Sequence, residues 1–250
     1  MLNIKGEIKY IKRAGKFYLD TGKMISGIYK FDNLMNKRAF SDTEKNIVFE
    51  ELFKNWGLQV LKNNRIEIEI DEELFKKDSG NFIFMPNHCS NIDVLVLLAS
   101  SPKPIKFIAK KSLFKIPFLG KAMKYTGMFK LDRNNHDSSV NTLKEISSKL
   151  KINNNSVVNF PEGTRSNNSK LQKFKKGGFH LAIDSQIPIV PVTILNTGKI
   201  NSIGDWRLKD GDIKIIYHKP IATKGLNKDD ILKLMKKTEL IIKKTIENNS

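Results

Sequence analysis

Apolar and polar positions along this 250-residue chain follow two different rhythms. Over residues 1 to about 40, Ile4, Ile8, Ile11, Tyr18, Ile25 and Tyr29 recur at three- and four-residue spacings, with Lys5, Lys9, Lys12, Arg13, Lys16, Lys23 and Lys30 among them. The spacing predicts a basic amphipathic helix, or two, with Gly15 and Gly22 as the weak points. Ser41 precedes Glu44 by three residues, the capping-box spacing, and predicts a further helix running to about Leu61. Beyond it, short β-type runs alternate with helical stretches. The expected strands are Arg65–Ile70, Phe82–Met85, Ile105–Ala109, Gly127–Leu131, Ser156–Phe160, Ile187–Ile194 and Ile213–His218. The expected helices are Asp93–Ala99, Ser112–Lys124, Ser138–Lys151, Lys173–Asp184 and Lys228–Glu247. Such alternation predicts an α/β fold, a mostly parallel mixed sheet flanked by helices, over residues 41–250, with residues 1–40 as a basic amphipathic segment. In such a sheet, polar sites form where strands end and helices begin.

Charge and length narrow the picture. Lys and Arg total 44 against 26 Asp and Glu, a formal charge of +18 that favours anionic partners. The basic N-terminal helix can lie among the headgroups of an anionic membrane, or dock on the domain with a solvated basic face. The longest stretches free of Asp, Glu, Lys and Arg, Ser79–Ile92 and Ser185–Gly198, are 14 residues each and contain proline. Both fall short of the roughly 20 apolar residues that span a bilayer. The start lacks an apolar run with a small-residue cleavage site, and Cys89 is the only cysteine, so a reducing cytoplasm is the expected compartment. The basic residues show neither interleaved aromatics nor a recognition helix, which disfavours nucleic acid as partner. His136, His180 and His218 show no metal-ligand spacing around His88, and no metal is expected.

Two polar motifs sit at strand ends. In Asn87-His88-Cys89-Ser90-Asn91-Ile92-Asp93, a five-residue offset cannot place His88 and Asp93 on one helical face. They meet if His88 lies in the loop after a strand stopped by Pro86 and Asp93 lies in the first helical turn. Asp93 would then fix one imidazole nitrogen and leave the other free to take a proton. Alternatively Ser90 and Asp93 serve only the helix N-terminus. Cys89 raises a thiol nucleophile as a rival, although neighbouring side chains in an extended loop point apart. In Phe160-Pro161-Glu162-Gly163-Thr164-Arg165-Ser166, glycine admits a close ligand, the hydroxyls donate, and Arg165 offers a fork for phosphate oxygens. Glu162 is unexpected beside an anion and is read as holding Arg165 or a main-chain group in place. The same residues are also ordinary turn chemistry. Between the motifs, Lys103 to Arg133 carries nine Lys and Arg against one Asp, more cations than one ligand requires.

The order of these blocks, followed by Ile189-Val190-Pro191-Val192-Thr193-Ile194, resembles the four-block pattern of the glycerolipid acyltransferase superfamily, and within it the 1-acylglycerol-3-phosphate O-acyltransferase family, over roughly residues 82 to 195. The resemblance implies His88 as general base oriented by Asp93. It implies glycerol-phosphate binding by Arg133, Glu162, Gly163, Thr164 and Arg165, with Lys110 at a basic position for which Lys111 competes. Pro191 would support the substrate pocket, and residues 1 to about 40 would lie on the cytoplasmic face of an anionic membrane. The implied reaction moves an acyl group from acyl-CoA or acyl-carrier protein to lysophosphatidate, with no cofactor, metal or covalent intermediate. Ser112 departs from the glutamate frequent in relatives. Glycerol 3-phosphate or another lysophospholipid as acceptor remains open, as does binding of anionic lipid without turnover.

Overall fold

The computed structural model describes residues 4–37, 40–75, 80–132, 135–152, 155–167 and 170–249. Helix α1 (Ile4–Lys37) is one continuous rod, and α2 (Asp42–Asn63) comes after it. The predicted capping box is present: Glu44 N donates to Ser41 Oγ at 3.3 Å, and Ser41 N donates to Glu44 Oε2 at 2.8 Å. Then come β1 (Ile66–Asp71), β2 (Ile83–Pro86), α3 (Ile92–Ser100), β3 (Ile105–Lys110), α4 (Leu119–Tyr125) and β4 (Phe129–Leu131). The chain continues through α5 (His136–Ile152), β5 (Ser156–Val158), α6 (Gly177–Ser185), β6 (Ile189–Leu195), α7 (Thr197–Ile200), β7 (Gly211–Tyr217) and α8 (Ile231–Glu247).

The strands form one sheet in the order β1-β7-β6-β2-β5-β3-β4. Neighbours are parallel except β6 and β7, so β1 and β7 run against the other five. Both faces are covered, which is why the central strands read as apolar runs. Strand alternation divides their side chains: Phe82 and Phe84 join a core with α1, α2 and α3, whereas Ile83 and Met85 join one with α5, α6 and α8.

Three expectations are corrected. The single helix over Ser112–Lys124 is instead a 3₁₀ turn, Lys111–Lys115, followed by α4. Pro117 lacks an N–H and Phe118 turns back at φ 62°, so the helix cannot run through. The helix expected from Lys173 starts at Gly177, because residues 172–175 give their backbone to the second motif. The strand expected to reach Phe160 ends at Val158, where the chain turns into that motif.

α1 presents two unlike faces. Met24 and Ile28 are buried in the core, and Arg13, also buried, donates to Leu208 O at 2.9 Å and to Asp210 Oδ1 at 3.0 Å. Lys9 joins the same Asp210. Ile8, Ile11, Tyr18 and Leu19 lie in the open with Lys12, Lys16 and Lys23. No helix among the described residues is long and apolar enough to cross a membrane.

Candidate active site

β2, β5 and β3 are parallel neighbours, so the loops after them open on one edge of the sheet. β2 ends at Pro86, and Asn87 anchors the loop beyond it. The Asn87 side chain accepts from Ile194 N at 2.7 Å and donates to Ile194 O at 2.9 Å, fixing the loop to β6. His88 is then held through its main chain by the second motif: its N–H donates to Glu162 Oε1 at 2.7 Å, and its carbonyl accepts from Ser166 N at 2.8 Å. The two motifs are one structure.

The imidazole lies flat on the Phe160 ring, centroids 3.9 Å apart and 22° from parallel, and Phe107 continues the stack. Nδ1 stands 2.7 Å from Asp93 Oδ2, and Nε2 has no hydrogen-bond partner among the described residues. The side chain is 15% exposed. Asp93 is fully buried in the first turn of α3, where the helix N-terminus favours a carboxylate. Its Oδ2 also accepts from Cys89 N at 2.8 Å and Ser90 N at 2.9 Å. One oxygen thus faces the imidazole and holds the main chain of the loop ahead of α3, whose N-cap, Asn91, has no side-chain capping bond. Ser90 Oγ donates to Asn201 O at 2.8 Å, which ties the loop to the end of α7.

A carboxylate accepting from Nδ1–H sets the tautomer that leaves a lone pair on Nε2. Cys89 has the opposite character. Burial, and then the charges of Asp93 and Glu162, push its thiol up to about 12, so it stays protonated at neutral pH. That argues against a thiol nucleophile.

Glu162 is almost wholly buried, and its second oxygen accepts from Gln172 N at 2.8 Å. It holds two main-chain groups, one of the two alternatives left open by the sequence, and among the described residues Arg165 is not its partner. Burial raises its carboxyl to about 7, while the two N–H donors pull it down. Gly163 turns at φ 73°, and the Lys175 side chain crosses its open face; a Cβ there would stand 2.9 Å from Lys175 Cδ. Arg165 is half-buried, Thr164 is exposed, and Arg165 makes no ion pair among the described residues.

Lys110 ends β3 on the same edge of the sheet, exposed and without an ion pair among the described residues. Lys111 is engaged by Asp132 at 2.8 Å, which separates the two competing lysines. Arg133 lies outside the described residues. Sequence reasoning missed Asn87, Phe160, Gln172 and Lys175 as parts of the site. Only Lys175 left a signal, in the basic run Lys173, Lys175 and Lys176 downstream of the second motif. Among the described residues no group of three or more His, Cys, Asp or Glu gathers to hold a metal.

Beside the first motif, a cleft of about 540 Å³ opens between α1, α2 and α3. Phe17, Tyr18, Trp56, Ile92, Leu95 and Trp206 give it an apolar lining, and Asn91 connects it to the His88 loop.

The sequence model of the acyltransferase family matches residues 65–195. A chloroplastic 1-acyl-sn-glycerol-3-phosphate acyltransferase of Brassica napus is 41% identical over 140 residues, 56% of this chain and 40% of that protein. The enzyme of the same name from Saccharomyces cerevisiae is 38% identical over 66% of this chain and 54% of its own length. That of Escherichia coli is 34% identical over 68% of each chain. The chain thus spans about half the length of the plant and yeast relatives. The crystal structure of the 1-acyl-sn-glycerophosphate acyltransferase PlsC of Thermotoga maritima superposes with a TM-score of 0.79 at 27% identity, covering 97% of this chain and 96% of that one.

Proposed function

The chain belongs to the acyltransferase family, and from that premise we propose that it acylates the free hydroxyl of 1-acyl-sn-glycerol 3-phosphate, giving phosphatidate. The donor is a thioester, acyl-CoA or acyl-carrier protein. The observation that carries the reading is the pairing of His88 Nδ1 with Asp93 at 2.7 Å, which leaves Nε2 open beside a turn bearing Gly163, Thr164 and Arg165.

His88 Nε2 takes the proton of the acceptor hydroxyl as its oxygen attacks the thioester carbonyl carbon. The tetrahedral intermediate collapses by breaking the carbon–sulfur bond, and the departing thiolate recovers the proton from the imidazolium. Such base assistance is worth about 10² to 10⁴ in rate. Asp93 stabilises the imidazolium without taking its proton. Arg165, Lys110, Arg133, Lys175 and the Gly163–Thr164 turn hold the acceptor phosphate, so that binding energy serves to aim the hydroxyl. Glu162 acts through the main chain of His88 rather than by touching phosphate. The apolar cleft beside Asn91 takes an acyl chain, and the exposed face of α1 lies on the cytoplasmic surface of an anionic membrane.

Thiol release from palmitoyl-CoA by the protein in anionic micelles tests the reading, with and without lysophosphatidate. Acceptor-dependent release is expected in the wild type, and His88→Ala should lose it by at least about 10²-fold while melting at an unchanged temperature. Appreciable transfer by the variant would end the general-base assignment. Release without acceptor would make the protein a thioesterase, and glycerol 3-phosphate working in place of lysophosphatidate would change the acceptor. Inactivity with both palmitoyl-CoA and palmitoyl-carrier protein would remove the transferase reading.

A further inference from the structure

A second cavity, of about 430 Å³, runs along the β3–β4 border from Lys106 near the start of β3 and Asn155 ahead of β5 to Lys130 and Phe114. Its lining includes none of the residues around His88. Five lysines line it: Lys45, Lys106, Lys124, Lys130 and Lys149. Lys124 and Lys130 are exposed at the rim without ion pairs among the described residues, and Lys149 is engaged by Glu145 at 2.7 Å.

Lys106 is different in kind. It is only 3% exposed, yet its ammonium makes no hydrogen bond or ion pair among the described residues. Glu50 of α2 is the carboxylate that acts on it, from beyond ion-pair distance. Burial pulls the ammonium below its ordinary range and pushes Glu50 up, and the attraction between the two offsets burial only in part. A buried lysine serving structure alone would be expected to hold its carboxylate directly. Phe114 and Tyr125 are among its lining residues, and the volume is within the range of small-ligand sites.

We propose that this cavity binds a nucleotide, its phosphates held by Lys106, Lys124 and Lys130 and its base against Phe114 and Tyr125. The chemistry is that of a compact polyanion carrying a planar ring: the anion completes Lys106, and the aromatic walls prefer a ring to bare phosphate. Two sources carry such a group, the nucleotide end of a coenzyme A thioester and a free nucleotide. The proposal does not rest on the acyl-transfer reading, because it is tested by binding alone.

Calorimetric titration of the full chain with ADP at low ionic strength is the test, with inorganic phosphate as the comparison. One-to-one binding is expected, at least tenfold tighter for ADP than for phosphate. Lys106→Met should weaken it at least tenfold, and Lys124→Gln with Lys130→Gln severalfold. The rim pair keeps the test decisive if the core variant folds poorly. Unsaturable binding, equal affinity for phosphate and ADP, or undiminished affinity in folded variants would overturn the proposal. Displacement of ADP by coenzyme A would identify a thioester donor as the source, and ADP that coenzyme A cannot displace would identify a free nucleotide.

Discussion

Glu162 controls where His88 sits without touching its ring. Its two oxygens accept from His88 N and Gln172 N, and the neutral amide of Glu162→Gln can accept at only one of them. Losing one charge-assisted hydrogen bond is worth about 1.5–3 kcal/mol, so turnover should fall about 10- to 100-fold if that energy serves positioning. Stability should respond with a definite sign. The folded carboxyl sits near 7, above its ordinary value of 4.5, so between those values the folded protein binds the extra proton. Its contribution is present in full below the unfolded value and lost as pH rises through 7. Melting temperatures of both proteins from pH 4.5 to 8 check this: the wild type's advantage should shrink as pH rises, and a gap that widens would contradict it. At this scale the sequence was partly legible. His88, Asp93 and Glu162 announce themselves because polar groups at the end of apolar strands need a reason. Phe160 does not, because a phenylalanine stacked under an imidazole reads in sequence like any core phenylalanine.

Helices and strands were easier to find than their ends. Where an element is buried on both sides its period survives in sequence, as in β2 and β6, and the sheet could be anticipated. Segments whose backbone serves another element were misread. Residues 172–175 have helical composition but bond to the second motif, and tertiary context overrides propensity there. Glycine shows the same limit. Gly15 and Gly22 are weak points in the sequence pattern, yet the helix runs through them, fixed by Met24, Ile28 and Arg13 on its inner face. Gly57 drew no notice, but it lets α2 approach α3: a Cβ there would stand 2.9 Å from Leu95 O and 3.3 Å from Ala99 N. Opposite effects should result from one substitution. Gly57→Ala forces apart the helix pair behind Asp93, and overpacking of about 1–3 kcal/mol should outweigh the gain in helix propensity. Gly22→Ala, with nothing within 4 Å, should stabilise by up to about 1 kcal/mol. Urea unfolding of the two variants measures both, and equal signs would refute the packing argument.

At the scale of the whole molecule, what matters is which surface the positive charge of +18 presents with apolar groups. Arg13 and Lys9 belong to the basic run of α1, yet both hold the helix to Asp210 and are not free for lipid. Lys12, Lys16 and Lys23 remain exposed without ion pairs among the described residues, beside Ile8, Ile11, Leu19 and a Tyr18 that is 73% exposed. Tyr18 and Trp206 both line the apolar cleft that leads to Asn91 and the His88 loop. A membrane meeting this face would put the cleft's mouth against acyl chains, with Asn91 of the His88 loop in the cleft's lining. Reversing Lys12, Lys16 and Lys23 to glutamate leaves the Asp210 clamp intact. With about 1 kcal/mol for each basic residue near an anionic surface, removing three attractions should weaken binding to phosphatidylserine-containing vesicles by about a hundredfold or more at low salt. Raising the salt should narrow the difference as screening sets in. Co-sedimentation measures the affinity, and transfer to a monomeric short-chain acceptor should persist because the His88 site is untouched. Unchanged vesicle binding would leave α1 as a docked helix with a solvated basic face.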